Sequence, residues 1–325
     1  MFSYRSILKQ ALKITLKYKY LWLFGLFAAL TAAGGSWEYN LLSSSLGKNL
    51  IDTSYLQLEK IIAVLEVVVN FGSGLIALLK SDIWSVLNAL TLILLGGLFI
   101  FAFIWLSISS QGALINALKK ILKGKKKSEE ISYRENITVG HKNFWPVFLM
   151  NILIKFLITF SFFIISIPLL ILSIKDVSAL MIIYIILFVL FVPLATGFSL
   201  MMKYAISYQI FEEFGFFKSI EKGYKLFMKN WLVSLEMAVI LFLVSFVAGL
   251  AFALAASIVL LPFFITGIAI DALWLTWFIT YLGIALTIFF GAVLSTFQVS
   301  AWTSLFFNLK EGNGALAKLE RLIKK

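Results

Sequence analysis

The chain has 325 residues, 61% of them hydrophobic, with a mean hydropathy of +0.99 and a formal charge of +12. A soluble fold is excluded because globular proteins sit near half apolar, and the continuous apolar runs exclude a barrel of alternating strands. With no cysteine and one histidine, His141, the chain has no disulfide or thiolate chemistry, no cofactor is implied, and a transition-metal centre would lack its usual ligands.

The first element is basic and amphipathic. In "SYRSILKQALKITLKYKYLW", from Ser3, Lys9, Lys13, Lys17 and Lys19 alternate with Ile7, Leu8, Ala11, Leu12, Ile14 and Leu16, which suits a helix on the inner leaflet. A first span is expected at 20–36, retained rather than cleaved because further membrane-length runs follow. The segment 61–79 is long enough to cross, but a crossing there would place "KKILKGKKK" (119–127) outside. Its polar residues Glu59, Glu66, Asn70 and Ser73 also share one helical stripe, so it reads as an interfacial or re-entrant helix. Further spans are expected at 84–108, 147–174, 178–206, 231–262 and 272–305, each above the roughly 18 to 20 apolar residues that cross a bilayer. Pro168 and Pro193 should bend two of them, and Ser245, Gly249, Ala253 and Ser257 give the fifth a small-residue stripe for close packing.

Six spans put both termini on one side. That side carries 23 of the 28 Lys and Arg, against Lys48, Lys60, Lys80 and Lys175 opposite and Lys155 within a span. The positive-inside rule therefore places the termini in the cytoplasm. The excess charge is a topology signal with an attraction to anionic headgroups; no motif for nucleic acid accompanies it.

Each outgoing span follows a basic, aromatic lead-in: the one from Ser3, "SYRENITVGHKNFWPVF" from Ser132 and "SIEKGYKLFMKNWLV" from Ser219. Each returning span carries a hydroxyl-x-Gln triplet ending at Gln111, Gln209 or Gln298. Asn143 to Gln209 is 66 residues and Asn230 to Gln298 is 68, whereas Tyr20 to Gln111 is 91. The excess of about 25 matches the segment near 56–80. The expected fold is an all-α polytopic membrane protein, one transmembrane domain over 1–325. Its six transmembrane helices form three pseudo-repeated hairpins with cytoplasmic amphipathic lead-ins, in units of about 1–124, 125–217 and 218–325, with an extra amphipathic helix in the first outer loop.

The basic, aromatic lead-ins and the Lys-Asn-aromatic entry at Lys142-Asn143-Phe144 and Lys229-Asn230-Trp231 resemble a broad group of six-span prokaryotic integral membrane proteins. That group includes the membrane domain fused to some glycerophosphodiester phosphodiesterases. The resemblance implies a prokaryotic plasma-membrane protein and carries over no catalytic residue.

Charges inside hydrocarbon are the sharpest functional signal, because each costs a few kcal/mol unless it pairs, snorkels or meets water. Lys155 and Glu236 reach similar depths, and Asn151, Lys155 and Thr159 recur at i, i+4, i+8. Two readings are open: a polar path lined by Asn151, Lys155, Thr159 and Glu236, or residues that pair structurally or snorkel. Gln111, Gln209 and Gln298 likewise suit either a polar ring near the axis or bonds between neighbouring helices. No catalytic motif occurs, and the adjacent acids Glu129-Glu130 and Glu212-Glu213 read as solvated. The expectation is a non-enzymatic membrane protein that binds lipid or an amphiphile or scaffolds a membrane complex, with a membrane-protein partner possible. The alternative is a transporter or channel with a polar path.

Overall fold

A computed structural model describes residues 3–29, 83–124, 133–173 and 179–312, and among them there is no strand. The helices are α1 (Tyr4–Lys17), α2 (Leu21–Ala28), α3 (Ile83–Leu122), α4 (Tyr133–Lys142), α5 (Phe144–Ser173), α6 (Ala179–Glu212), α7 (Phe216–Lys229), α8 (Trp231–Ala269) and α9 (Leu273–Lys310). By length and apolarity α3, α5, α6, α8 and α9 each contain a stretch able to cross a membrane. The expected interfacial segment 61–79, residues 30–36 of the first span and the side chain of Pro168 lie outside the described residues. Pro193 and Pro262 sit inside helices that continue through them.

Helix ends follow from local chemistry. Ser3 caps α1, its Oγ accepting from the backbone N–H of Ser6 at 3.2 Å. The two Lys-Asn-aromatic entries have the same geometry: Asn143 Nδ2 donates to the Val139 carbonyl and Asn230 Nδ2 to the Leu226 carbonyl, each at 3.0 Å and four residues back. Each of these carbonyls also accepts the backbone N–H of the same asparagine, so the short amide side chain adds a second donor to the last turn as the chain passes into the next long helix. Between α8 and α9 a three-residue turn places Asp271 at φ 51, a left-handed conformation that Asp tolerates better than most.

Packing is concentrated at one end. Helix α3 has 40 residues, about 60 Å at 1.5 Å per residue, twice the roughly 30 Å of bilayer hydrocarbon. Its apolar part to Leu106 is almost wholly exposed, whereas Ser107 to Leu118 is buried without a break. Helices α8 and α9 divide in the same way, with most of their buried residues towards the end bearing the short helices. The reason lies in composition. Lipid is as apolar as leucine, so large aliphatic side chains gain little by leaving it, and helices associate where small and polar residues allow close approach and hydrogen bonding. In α3 those residues are Ser107, Ser109, Ser110, Gln111, Gly112, Ala113 and Asn116.

At the packed end α3, α6 and α9 touch one another, with α5 against α6 and α8 against α9, while α2 lies between α3 and α9. The short helices fill the flanks: α4 packs on α3, α7 on α6 and α1 on α9. Helix α1 was expected on the leaflet; it buries Ile7, Ala11, Ile14 and Thr15 against the bundle and leaves Leu12 and Leu16 exposed beside Lys9, Lys13 and Lys17. An aromatic cluster seals the centre, Phe306 lying edge-on to Tyr208 and Phe211 at 4.9 and 5.0 Å.

Beyond Ser245, which bonds Gln298 of α9, the stripe Ser245, Gly249, Ala253, Ser257 is not a packing face among the described residues. Ala253 and Ser257 are exposed, and nothing lies within 4 Å of where a Cβ on Gly249 would stand. Helices α8 and α9 meet instead through Phe252 stacked on Phe290 at 4.3 Å, Leu260 against Gly283, and Gly267 against Thr276.

Candidate functional site

The expected polar path divides between two environments. Asn151 is buried, and its Nδ2 donates to Gln111 Oε1 at 3.1 Å and to the Val147 carbonyl at 2.8 Å, tying α5 to α3. Lys155 and Thr159, on the same helix, are exposed. Each i+4 step advances 400°, so the line drifts 40° per step and leaves the buried face. That face continues instead through Val147, Met150, Ile154 and Ile158.

The three glutamines have separate partners. Gln111 accepts from Asn151; Gln209 Nε2 donates to Asn143 Oδ1 at 3.3 Å, and its Oε1 accepts from Ser219 Oγ at 3.1 Å; Gln298 Nε2 donates to Ser245 Oγ at 2.8 Å. Each bond links two different helices, except that Asn143 stands at the junction of α4 and α5. A further buried amide pair, Asn116 Nδ2 to Asn136 Oδ1 at 2.9 Å, joins α3 to α4. Glu212 and Glu213 point to different cations, Lys310 and Lys142. The hydrogen bond and charge of Lys142 hold the exposed Glu213 carboxyl below its ordinary range.

Glu236 lies one turn inside α8 and is half-buried. Tyr4 of α1 donates its hydroxyl to Glu236 Oε2 at 2.5 Å across 232 residues of sequence. Nearby, Tyr204 Oη and Ser234 Oγ are 2.7 Å apart and buried, joining α6 to α8. Lys203, counted from sequence with the loop charges, is only 8% exposed, and its Nζ stands 4.8 Å from the ring centre of Trp302 on α9. The sequence does carry a signal for it. Lys203 falls within the expected span 178–206, and no helix-breaking residue intervenes before Glu212, so it stays on α6 inside the bundle.

The two halves of the expected path make different predictions. Asn151→Ala strands the buried Gln111 oxygen and should lower stability by about 1–3 kcal/mol, whereas Lys155→Ala should change it by no more than about 0.5 kcal/mol. Melting of the detergent-extracted variants, followed by size-exclusion chromatography, checks both.

No family model, no curated protein and no solved structure matches this chain.

Proposed function

We propose that this chain is a non-enzymatic, multi-pass protein of a prokaryotic plasma membrane that binds lipid or an amphiphile, alone or as the scaffold of a membrane complex. The observation that carries this reading is the division of its surface. The buried amides Gln111, Asn116, Asn136, Asn151 and Gln209 are engaged in bonds between helices, while the long apolar stretches of α3, α8 and α9 are exposed and carry almost no polar groups. A polar path would need the reverse: polar groups facing a shared aqueous space.

The reading includes three pseudo-repeated hairpins and six spans. Support comes from the matched Asn143 and Asn230 entries and from the seating of the short helices. Helices α4 and α7 each lie on the long helix that precedes them, and α1 lies on α9, the last one, as a closed ring of three units requires. The charge asymmetry supports cytoplasmic termini, with the lead-in end at the inner leaflet. The resemblance to six-span prokaryotic membrane proteins favours the same assignment.

At that leaflet α7 suits anionic lipid. Phe217, Tyr224 and Met228 lie opposite its buried Ser219, Gly223 and Leu226, and Lys218, Lys222, Lys225 and Lys229 occupy one flank. Such a helix lowers its apolar stripe among the acyl chains and keeps its ammonium groups at the phosphates. Native mass spectrometry of the extracted protein should show retained phospholipid, anionic over zwitterionic. Changing Lys218, Lys222 and Lys225 together to Gln should weaken anionic retention at least about tenfold, taking about 1 kcal/mol per surface lysine, discounted for Lys225, which pairs with Glu221. Bare protein, with ion or solute flux through reconstituted vesicles, would favour the transporter or channel instead.

A further inference from the structure

Two charged side chains occupy the packed end where four helices converge. Lys203 is buried on α6 and lies over Trp302 of α9; Glu236 is half-buried on α8 and accepts the hydroxyl of Tyr4 from α1. The bond between Tyr204 and Ser234 fixes the relative height of α6 and α8. Consecutive long helices run in opposite senses, so stepping from Tyr204 back to Lys203 and from Ser234 on to Glu236 moves along both helices in the same direction. The steps are about 1.5 and 3 Å, which leaves the two residues nearly level. Their side chains reach adjacent helices: Lys203 reaches α9, and Glu236 reaches α1, which itself packs on α9. A long lysine stem carries its ammonium well away from its own Cα, towards a charge at the same height.

We infer that Lys203 is the counter-charge of Glu236, and that with Tyr4 they form one polar site that anchors the N-terminal helix to the bundle. A ring face attracts a cation without neutralising it, and a carboxylate hydrogen-bonded to a tyrosine still carries its own charge. Placing the two charges together offsets part of the cost of burying each. The site replaces the pairing of Glu236 with Lys155 that the sequence suggested. It also makes α1 part of the bundle's electrostatics, because the bond from Tyr4 forms only when α1 is seated. The inference stands on the packed end alone and does not depend on lipid binding.

The absence of cysteine makes the test direct. Thr15 is fully buried on α1, and Thr15→Cys gives one thiol whose reaction with a maleimide reads the seating of the helix. In the extracted full-length protein the thiol should be protected. Glu236→Gln or Lys203→Met should each raise the modification rate at least tenfold, and the double variant should be no faster than the faster single one. The exchange Lys203→Glu with Glu236→Lys should restore protection. Independent effects that multiply in the double variant, or an exchange worse than either single change, would overturn the pair. If Lys203→Met does not survive extraction, the double variant decides: recovery of folded protein supports the pair and continued loss overturns it.

Discussion

Gly140→Ala should destabilise this protein by at least about 1–3 kcal/mol, although alanine is the better helix former. A Cβ at Gly140 would stand 2.2 Å from the Ser109 carbonyl oxygen and 3.2 Å from the Ala113 nitrogen, and the facing position on α3 is itself a glycine, Gly112. These are backbone atoms of a buried helix, so no side-chain rotation relieves the clash and α4 must lift from α3. Its buried amide link, Asn136 to Asn116, would be strained with it. Gly223→Ala should behave alike, its Cβ meeting the Ala205 backbone at 2.7 Å. The control is Gly97, where nothing lies within 4 Å. There the same substitution leaves only the propensity gain, about 0.5–1 kcal/mol in favour of alanine. Melting temperatures of Gly140→Ala and Gly97→Ala in one detergent should therefore move in opposite directions; a common direction would refute close packing of the short helices.

That contrast also marks what the sequence made legible. The lead-in entries could be read directly, because Asn after Lys and before an aromatic is a local device: its amide reaches a carbonyl four residues back whatever lies beyond. Five expected spans correspond to long helices for a similarly local reason, the apolar length needed to cross lipid. Which face each helix buries was not local. Projecting Asn151, Lys155 and Thr159 on one line, or Ser245 to Ser257 on another, treats steps of four as straight. Over two steps the line has turned 80° and over three 120°, enough to pass from neighbour to surface. Real interfaces mix steps of three and four, as Val147, Met150, Ile154 and Ile158 do. Lys203, inside the expected span yet counted with the loop charges, is buried by a non-local contact, Trp302 of α9. Hydropathy ends a span where polar residues begin, but α6 continues as helix to Glu212 because Gln209 and Tyr204 find partners on adjacent helices.

The largest loss should come from Phe306→Ala, about 3–5 kcal/mol, while Phe99→Ala should remain within about 1 kcal/mol. The two side chains are chemically identical and occupy helices of similar apolarity, so the difference isolates packing from hydrophobicity. Phe306 is 0% exposed and contacts the rings of Tyr204, Tyr208 and Phe211. Truncation opens a cavity whose aromatic walls lose their partner, and Tyr204 is held in place by its bond to Ser234, so the site collapses poorly. Phe99 is 69% exposed and touches Phe103 at 6.1 Å. An acyl chain or detergent tail replaces its missing contacts, and the transfer that penalises an exposed cavity in water does not arise. If stability followed hydrophobicity alone, the two substitutions would cost the same. A large loss at Phe306 with almost none at Phe99, measured by thermal melting in detergent, would show that stability at these two positions follows packing rather than hydrophobicity, as expected if the apolar stretch of α3 faces lipid.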